Sequence, residues 1–142
     1  MTILVSACLL GENCKYNGGN NLNDRVVQFV AGHEVIPVCP EVLGGLPCPR
    51  KPVEWQGERV VTRDGEDCTA QFCAGVEAVR RIIDGRQIDL AILQSRSPTC
   101  GVKQIYDGTF SGTRITGMGS LARMLSEIGV PLMDAEDVPE IH

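Results

Sequence analysis

Seven cysteines in a chain of 142 residues are the first feature of this sequence that could do chemistry. A secreted protein with a disulfide framework usually has an even number of cysteines, so an odd number indicates free thiols, a metal centre or redox chemistry. His33 and His142 are the only two histidines, and no Cys-x-x-Cys pair occurs. A Cys/His zinc site or a thioredoxin-like couple therefore has few of the residues that it needs.

Cys100 lies in the most unusual segment of the chain, residues 95–101, which follows a run of apolar residues. The segment reads Ser95-Arg96-Ser97-Pro98-Thr99-Cys100-Gly101. It cannot continue a strand, because Pro98 has no amide proton for a ladder and Gly101 permits a positive φ. We interpret it as a shaped loop that holds reactive groups at the end of a core element.

Short apolar runs alternate along the chain with segments of helical periodicity. The predicted strands are residues 3–7, 35–38, 88–93 and 130–133, the predicted helices are residues 22–31, 67–84 and 121–128, and residues 53–61 are predicted to form a hairpin. This alternation predicts one α/β domain over residues 1–142, a three-layer sandwich with a small, mainly parallel, Rossmann-like sheet. Residues 105–110 are expected to form a small turn, followed by a glycine-rich segment at residues 112–119.

Cys8, Cys39 and Cys100 each follow a predicted strand. Ligands of parallel sheets bind beyond the carboxyl ends of the strands, so we expect the three thiols to converge there. Three thiols without histidine fit an iron–sulfur cluster better than zinc, although Cys48 could complete a closed zinc site. Each cysteine taken alone could also be a small core residue. Cys68 and Cys73 are assigned to the long helix or its start, and the place of Cys14 in the first loop is open.

Polar residues near these cysteines are candidates for catalysis and binding. If the cysteines converge, Glu41 could transfer protons and Ser97 could donate to a leaving group. The alternatives are helix capping by Glu41 and a turn role for Ser97. Arg96 could bind a carbonyl or phosphate, or brace its loop. The amides around Gly117 and Ser120 precede a helix and could hold an anion, although the pattern matches no known phosphate loop.

Composition excludes several classes of partner. The net charge of -5 and the pI of about 5.0 argue against a broad surface for a nucleic acid duplex or an anionic membrane. No apolar run is long enough to span a bilayer, and the N-terminus lacks the features of a signal peptide. We therefore expect a cytoplasmic protein that acts on a small molecule; the sequence does not indicate its oligomeric state.

Three motifs in the same order resemble the thiouracil desulfidase (TudS) family, long known as a small bacterial domain of unknown function. They extend over residues 6–16, 39–47 and 95–101, and the similarity covers nearly the whole chain. The quoted motifs are Ser6-Ala7-Cys8-Leu9-Leu10-Gly11 with Cys14-Lys15-Tyr16, then Cys39-Pro40-Glu41-Val42-Leu43-Gly44-Gly45-Leu46-Pro47, then Ser95-Arg96-Ser97-Pro98-Thr99-Cys100-Gly101. Cys48 and Asn17 depart from the family pattern, which has a small polar residue and an aspartate at these positions.

The resemblance implies a compact α/β domain that holds an oxygen-sensitive 4Fe-4S cluster on Cys8, Cys39 and Cys100. It also implies hydrolytic removal of sulfur from thiolated uracil, or from its nucleoside or nucleotide. The iron without a protein ligand would take the substrate sulfur, water would supply the oxygen, and hydrogen sulfide would leave without net redox change. Glu41 and Ser97 match the positions expected for proton transfer. The alternatives are a non-catalytic iron–sulfur or sulfur-carrier protein that works with a partner, and a structural zinc domain.

Overall fold

The computed structural model describes residues 1–139, so His142 and the end of the acidic tail lie outside the described residues. The strands are β1 (Thr2–Ser6), β2 (Glu34–Val38), β3 (Val53–Gln56), β4 (Arg59–Thr62), β5 (Leu90–Leu93), β6 (Gln104–Tyr106), β7 (Arg114–Thr116) and β8 (Leu132–Asp134). The helices are α1 (Asp24–Val30), α2 (Pro40–Leu43), α3 (Thr69–Ile83) and α4 (Ser120–Glu127). No helix within residues 1–139 has the length and apolar character needed to cross a bilayer.

The central sheet has the strand order β2-β1-β5-β8, and all of its neighbouring strands are parallel. Strands of a parallel sheet are covered on both faces, which explains their nearly continuous apolar sequences. In β1, Ile3, Leu4 and Val5 are each 0% exposed. Leu4 lies opposite Ile36 of β2 and Ala91 of β5, so β1 is an interior strand between β2 and β5.

Helices cover both faces of this sheet. On one face α3 and α4 pack against Leu4 and Leu93 through the side chains of Val79 and Leu121. On the other face α1 and the chain end near Val138 pack against the alternate residues of the strands. The predicted three-layer α/β sandwich with a small parallel sheet is therefore confirmed.

The helix boundaries follow local hydrogen bonding more closely than apolar periodicity. α1 begins after Asn23, whose side-chain oxygen accepts the amides of Arg25 and Val26 at 3.0 and 3.3 Å. Leu22, which we expected on the apolar face of this helix, precedes it and is 57% exposed. Asp67 accepts the amide of Thr69 at 2.9 Å where α3 begins, as predicted.

Two antiparallel hairpins flank the parallel sheet. β3 and β4 form the hairpin predicted around Gln56-Gly57. β6 and β7 form a second hairpin, where the sequence predicted a small turn at residues 105–110 and a glycine-rich segment at residues 112–119. The sequence did not predict the pairing of these strands. Each strand has only three residues, and all of β7 is exposed. Such short strands carry no alternation of apolar and polar residues from which pairing could be recognised.

Candidate active site

A cavity of about 480 Å³ opens beyond the carboxyl ends of β1, β2 and β5. Its volume falls in the range of small-molecule sites, about 300 to 1,000 Å³. Four cysteines line it: Cys8, Cys14, Cys39 and Cys100. Glu41, Arg96 and Ser97 line the same cavity. The structure therefore brings together the three predicted ligands and the two predicted proton-handling residues.

Strand order explains why thiols so distant in sequence share this cavity. β1 lies between β2 and β5, so the segments that leave these three strands are neighbours. Cys8 lies in the short 3-10 helix Ala7–Leu10 that follows β1. Cys39 directly follows β2 and occupies the N-cap position of α2, whereas Cys100 lies in the loop that follows β5. The arrangement is the crevice expected at the carboxyl edge of a parallel sheet.

Two glycines fix the position of α2, which has Cys39 at its cap and Glu41 in its first turn. A Cβ atom at Gly75 of α3 would lie 1.9 Å from the carbonyl oxygen of Pro40. A Cβ atom at Gly44 would lie 1.9 Å from the carbonyl oxygen of Gln71. Both distances are far inside van der Waals contact, so the close approach of α2 to α3 requires both glycines.

The loop of residues 95–101 is shaped differently from what the sequence predicted. Gly101 does not adopt a positive φ, and the left-handed residue of the loop is Arg96, with φ 59°. Gly101 is instead required for space, since a Cβ atom there would lie 2.7 Å from the carbonyl oxygen of Gln104. Trp55 anchors the loop from β3, because its indole Nε1 donates to the carbonyl oxygen of Pro98 at 2.8 Å.

Glu41 is held by partners on both of its carboxylate oxygens. Arg50 Nε donates to Oε1 at 3.3 Å, and Thr99 Oγ1 donates to Oε2 at 3.2 Å. The Arg50 side chain is only 7% exposed, and its Nη2 also donates to the carbonyl oxygen of Cys14 at 3.0 Å. The carboxylate therefore has a fixed orientation, and the buried guanidinium compensates its charge.

Ser97 reaches Glu41 through a neighbouring hydroxyl. Ser97 Oγ lies 3.0 Å from Thr99 Oγ1, which in turn contacts Glu41. The amides of Thr99 and Cys100 donate to Ser97 Oγ at 3.2 and 3.1 Å. These bonds fix the Ser97 side chain at the wall of the cavity.

Burial raises the pKa of each of three cavity thiols above its usual value, and raises that of Cys100 to about 12. Desolvation is the main cause at Cys8 and Cys14 as well, and a nearby Cys39 charge raises both pKa values further. Thiolates in this cavity therefore need a compensating positive charge, which bound metal supplies.

The donor set fits an iron–sulfur cluster. All seven cysteines are free thiols, and four of them line the cavity. Thiolate is the usual protein ligand of such clusters. Within residues 1–139 no three His, Cys, Asp or Glu side chains are grouped so as to hold one metal ion. A 4Fe-4S cluster does not need such a group, because its cysteines bind different irons.

Cys48 does not line the cavity with the other thiols. It is exposed, and its thiol donates to the carbonyl oxygens of Asn13 and Lys15 at 3.1 and 3.2 Å. A closed zinc site completed by Cys48 therefore finds no support in the described part of the chain.

The predicted binding residues have different surroundings. Arg96 lines the cavity, but its guanidinium is paired with Glu136, which raises the pKa of Arg96. Gly117 and Ser120 are not among the residues that line the cavity. Their amides donate to the carbonyl oxygens of Lys103 and Pro98 at 3.0 and 3.1 Å, so neither is free to hold an anion.

Thr99, Arg50 and Asn21 are site residues whose roles sequence reasoning missed. Asn21 Nδ2 donates to Cys8 Sγ at 3.5 Å, an interaction that lowers the pKa of Cys8 against the effect of burial. Arg50 stands out only as a basic residue in a proline-rich loop. Thr99 adjoins Cys100 in the motif, and that adjacency was the one signal that could have identified it.

Comparison with known proteins agrees with this geometry. Residues 3–137 match the family model of the 2-thiouracil desulfurases. The chain is 35% identical to YbbK of Bacillus subtilis (strain 168), an uncharacterized protein, over 98% of this chain and 99% of YbbK. The solved structure of the 4Fe-4S-dependent thiouracil desulfidase TudS is 38% identical, has a TM-score of 0.90 and covers 97% of this chain and 93% of its own. The chain therefore belongs to the 2-thiouracil desulfurase family.

Proposed function

We propose that this protein is a 4Fe-4S-dependent desulfidase that hydrolytically removes sulfur from thiolated uracil, or from its nucleoside or nucleotide, and releases hydrogen sulfide. One observation carries the proposal: thiols from three strand ends share a single cavity with a half-buried carboxylate and a hydroxyl. The family match and the likeness to TudS support the same activity.

Cys8, Cys39 and Cys100 are the residues that we propose as ligands of the cluster. Each comes from a different strand end, and Cys100 is fully enclosed, being 4% exposed. When bound on three thiolates, such a cluster supplies an iron free of protein ligands, a soft Lewis acid suited to a thiocarbonyl sulfur. Cys14 lines the same cavity and is the fourth thiol within it.

Glu41 is the proposed general base. Its side chain is 15% exposed, so one edge is accessible from the cavity while Arg50 and Thr99 hold the carboxylate. A carboxylate fixed in this way can take a proton from a water molecule that attacks the thiocarbonyl carbon. Positioned proton transfer of this kind contributes about 10²- to 10⁴-fold to rates.

Ser97 is the proposed donor to the departing sulfur. Two backbone amides donate to its oxygen, so negative charge that develops on this oxygen as the proton leaves is stabilised. Its hydroxyl hydrogen is free to point towards Thr99 or into the cavity. Ser97 is therefore placed to hydrogen-bond the substrate before it gives up its proton.

The cavity suits a planar heterocycle. Tyr16, Tyr106 and Phe110 line it, and aromatic rings bind flat bases by stacking. Lys15 and Arg96 also line the cavity, and their positive charge would accommodate the phosphate of a nucleotide. Direct binding of substrate by Arg96 stays a prediction, because its guanidinium already pairs with Glu136.

The test is an anaerobic preparation of the full chain, with iron and acid-labile sulfide measured before the assay. We expect a bound cluster and equal amounts of uracil product and hydrogen sulfide from a panel that contains 2-thiouracil, 4-thiouracil and their nucleosides and nucleotides. In ¹⁸O-labelled water the new carbonyl oxygen should carry the label.

Other results would favour a different function. A protein that retains its cluster but releases no sulfide from any member of the panel would be a non-catalytic iron–sulfur or sulfur-carrier protein. A protein that binds zinc and cannot be loaded with iron would be a structural zinc domain. Unlabelled product would contradict hydrolysis.

A further inference from the structure

An unbroken chain of hydrogen bonds runs from Ser97 to Glu41 through Thr99. Ser97 Oγ and Thr99 Oγ1 are 3.0 Å apart, and Thr99 Oγ1 and Glu41 Oε2 are 3.2 Å apart. Thr99 itself is 1% exposed. The two residues to which we assign proton transfer, Glu41 and Ser97, are 56 positions apart in sequence. The buried hydroxyl of Thr99 joins them.

The donors and acceptors of these groups fit a chain of hydroxyls that can carry a proton towards either end. A hydroxyl has one donor and two acceptor positions. Ser97 Oγ accepts two amides, so its hydroxyl hydrogen is left to donate to Thr99 or into the cavity. Thr99 can accept from Ser97 while donating to Glu41, and its hydroxyl also lies 3.7 Å from Cys100 Sγ. When Glu41 is protonated and Ser97 gives up its own proton, both hydroxyls reverse and Ser97 Oγ accepts from Thr99.

The backbone of Thr99 is held as firmly as its side chain. The carbonyl oxygen of Thr99 accepts the amides of Leu121 and Ala122 at 2.8 and 3.2 Å at the start of α4. Gly119 permits this approach, since a Cβ atom there would lie 2.4 Å from the carbonyl carbon of Thr99. Hydrogen bonds of the backbone and of the side chain therefore both fix the position of the Thr99 hydroxyl.

We propose that Thr99 is the positioning residue through which a proton passes from Glu41 to Ser97, an inference that rests on the desulfidase function proposed above. Glu41 takes a proton from the attacking water. That proton passes from Oε2 to Thr99 Oγ1 while the original Thr99 proton passes to Ser97 Oγ, and Ser97 gives its own proton to the departing sulfur. Glu41 ends as a carboxylate and both hydroxyls are restored. The water oxygen has bonded to the thiocarbonyl carbon, and the carbon–sulfur bond breaks as the carbonyl forms. The proton that stayed on the water oxygen supplies the second proton of hydrogen sulfide.

Thr99→Val removes the hydroxyl and keeps the shape of the side chain, and Thr99→Ser keeps the hydroxyl. We expect Thr99→Val to lower kcat about 10- to 100-fold with KM changed less than about threefold, and Thr99→Ser to retain most of the kcat. Thr109→Val removes an exposed hydroxyl elsewhere and is the matched control. Equal kcat for Thr99→Val and the wild type, at equal cluster content, would overturn the proposal.

A double-mutant cycle separates a proton link from simple loss of packing. If Thr99 acts by joining Ser97 to Glu41, Thr99→Val should lower kcat little further in a protein that already carries Ser97→Ala. Fully additive losses would show that Thr99 acts independently of Ser97, and would overturn the link.

A second readout needs neither cluster nor substrate. The ¹³C signal of the Glu41 carboxyl carbon, recorded at one fixed pH in cluster-free protein, should shift in Thr99→Val and stay in place in Thr99→Ser. An unmoved signal in Thr99→Val would overturn the link even if the enzyme is active. A shifted signal in a protein that releases no sulfide would support the link and reject the desulfidase function, so the two failures are distinguishable.

Discussion

Two loops of this protein are built from the same kinds of residue and have opposite surroundings. The loop of residues 95–101 has Ser97 and Thr99 two positions apart, with their oxygens at 3.0 Å. The loop of residues 107–113 has an acid and three hydroxyls at the same spacing of two. In that loop the successive side-chain oxygens of Asp107, Thr109, Ser111 and Thr113 lie 2.6, 2.6 and 2.8 Å apart.

The difference between the loops is what the hydroxyls meet. In the loop of residues 107–113 the row of hydroxyls is exposed and begins and ends within the loop. In the loop of residues 95–101 the buried Thr99 reaches Glu41, which lies on a separate helix. A hydrogen bond in a water-poor site is electrostatically stronger than one at the surface. The proposed proton link therefore depends on tertiary structure, which brings the carboxylate of a separate helix to the buried Thr99.

The largest expected effect comes from replacing Cys100 in the loop of residues 95–101. Cys100→Ser should lower affinity for the cluster by at least about 100-fold, because the variant loses one of the three proposed ligands. Cys73→Ser, in an exposed position on α3, is the matched control and should keep its iron. Iron and acid-labile sulfide per chain after anaerobic reconstitution measure the effect. Full cluster content in Cys100→Ser would show that Cys100 is not a ligand.

Neutralising the carboxylate that each row of hydroxyls contacts gives the next largest effect. Glu41→Gln should lower kcat about 10²- to 10⁴-fold with the cluster retained, because the proposed general base is lost. Asp107→Asn makes the same change at the exposed row and should leave kcat within about twofold. Sulfide release under saturating substrate compares the two variants. Similar losses in both would contradict the distinction between the loops.

Adding one methyl group beside each loop tests how tightly each is packed. Gly119→Ala places a Cβ atom 2.4 Å from the carbonyl carbon of Thr99, so we expect a loss of about 1 to 3 kcal/mol in unfolding free energy. Gly112→Ala meets no atom within 4 Å and carries only the strain of its φ of 80°, about 1 kcal/mol. Urea unfolding of the cluster-free variants measures both. The prediction fails if Gly112→Ala is the more destabilised.

The smallest expected effect is a pH dependence in the exposed row. Hydrogen bonding by the Thr109 side chain lowers the pKa of Asp107, so Thr109→Val should raise this pKa towards its usual value. A depressed carboxyl pKa stabilises the fold above the unfolded pKa of about 4, and this stabilisation is lost as pH falls through the folded pKa.

The stability difference between the wild type and Thr109→Val should therefore be present at pH 7 and shrink below about pH 4. Carboxyl ¹³C titration gives the pKa, and urea midpoints at both pH values give the stability. Ser111→Ala, which removes the next hydroxyl without removing a partner of Asp107, is the control. An unchanged Asp107 pKa in Thr109→Val would reject the assignment.

The sheet and the meeting of the cysteines could be predicted because both follow from short-range patterns and strand order. Buried runs such as residues 88–93 read as strands, and parallel strands place their carboxyl ends at one edge. That reasoning required no knowledge of side-chain geometry. It brought Cys8, Cys39 and Cys100 to the edge where the structure places them.

The contacts that complete the site could not be predicted because they join residues distant in sequence. Nothing near Arg50 indicates that its guanidinium turns towards Glu41. Gly44 and Gly75 look like ordinary glycines until α2 crosses α3. The amides around Gly117 looked available, and only tertiary structure shows that the carbonyl oxygen of Lys103 occupies one of them. The fold therefore follows from patterning, whereas the chemistry depends on pairings that only the tertiary structure displays.

Trp55, whose indole donates to the carbonyl oxygen of Pro98, is the only tryptophan in the sequence. The tryptophan fluorescence of the protein therefore comes from a ring hydrogen-bonded directly to the loop of residues 95–101. Iron–sulfur clusters absorb light across the range in which tryptophan emits, so loading should quench this emission and cluster loss should restore it. The chain thus contains its own optical reporter of the cavity, which needs no added dye and can be followed in real time.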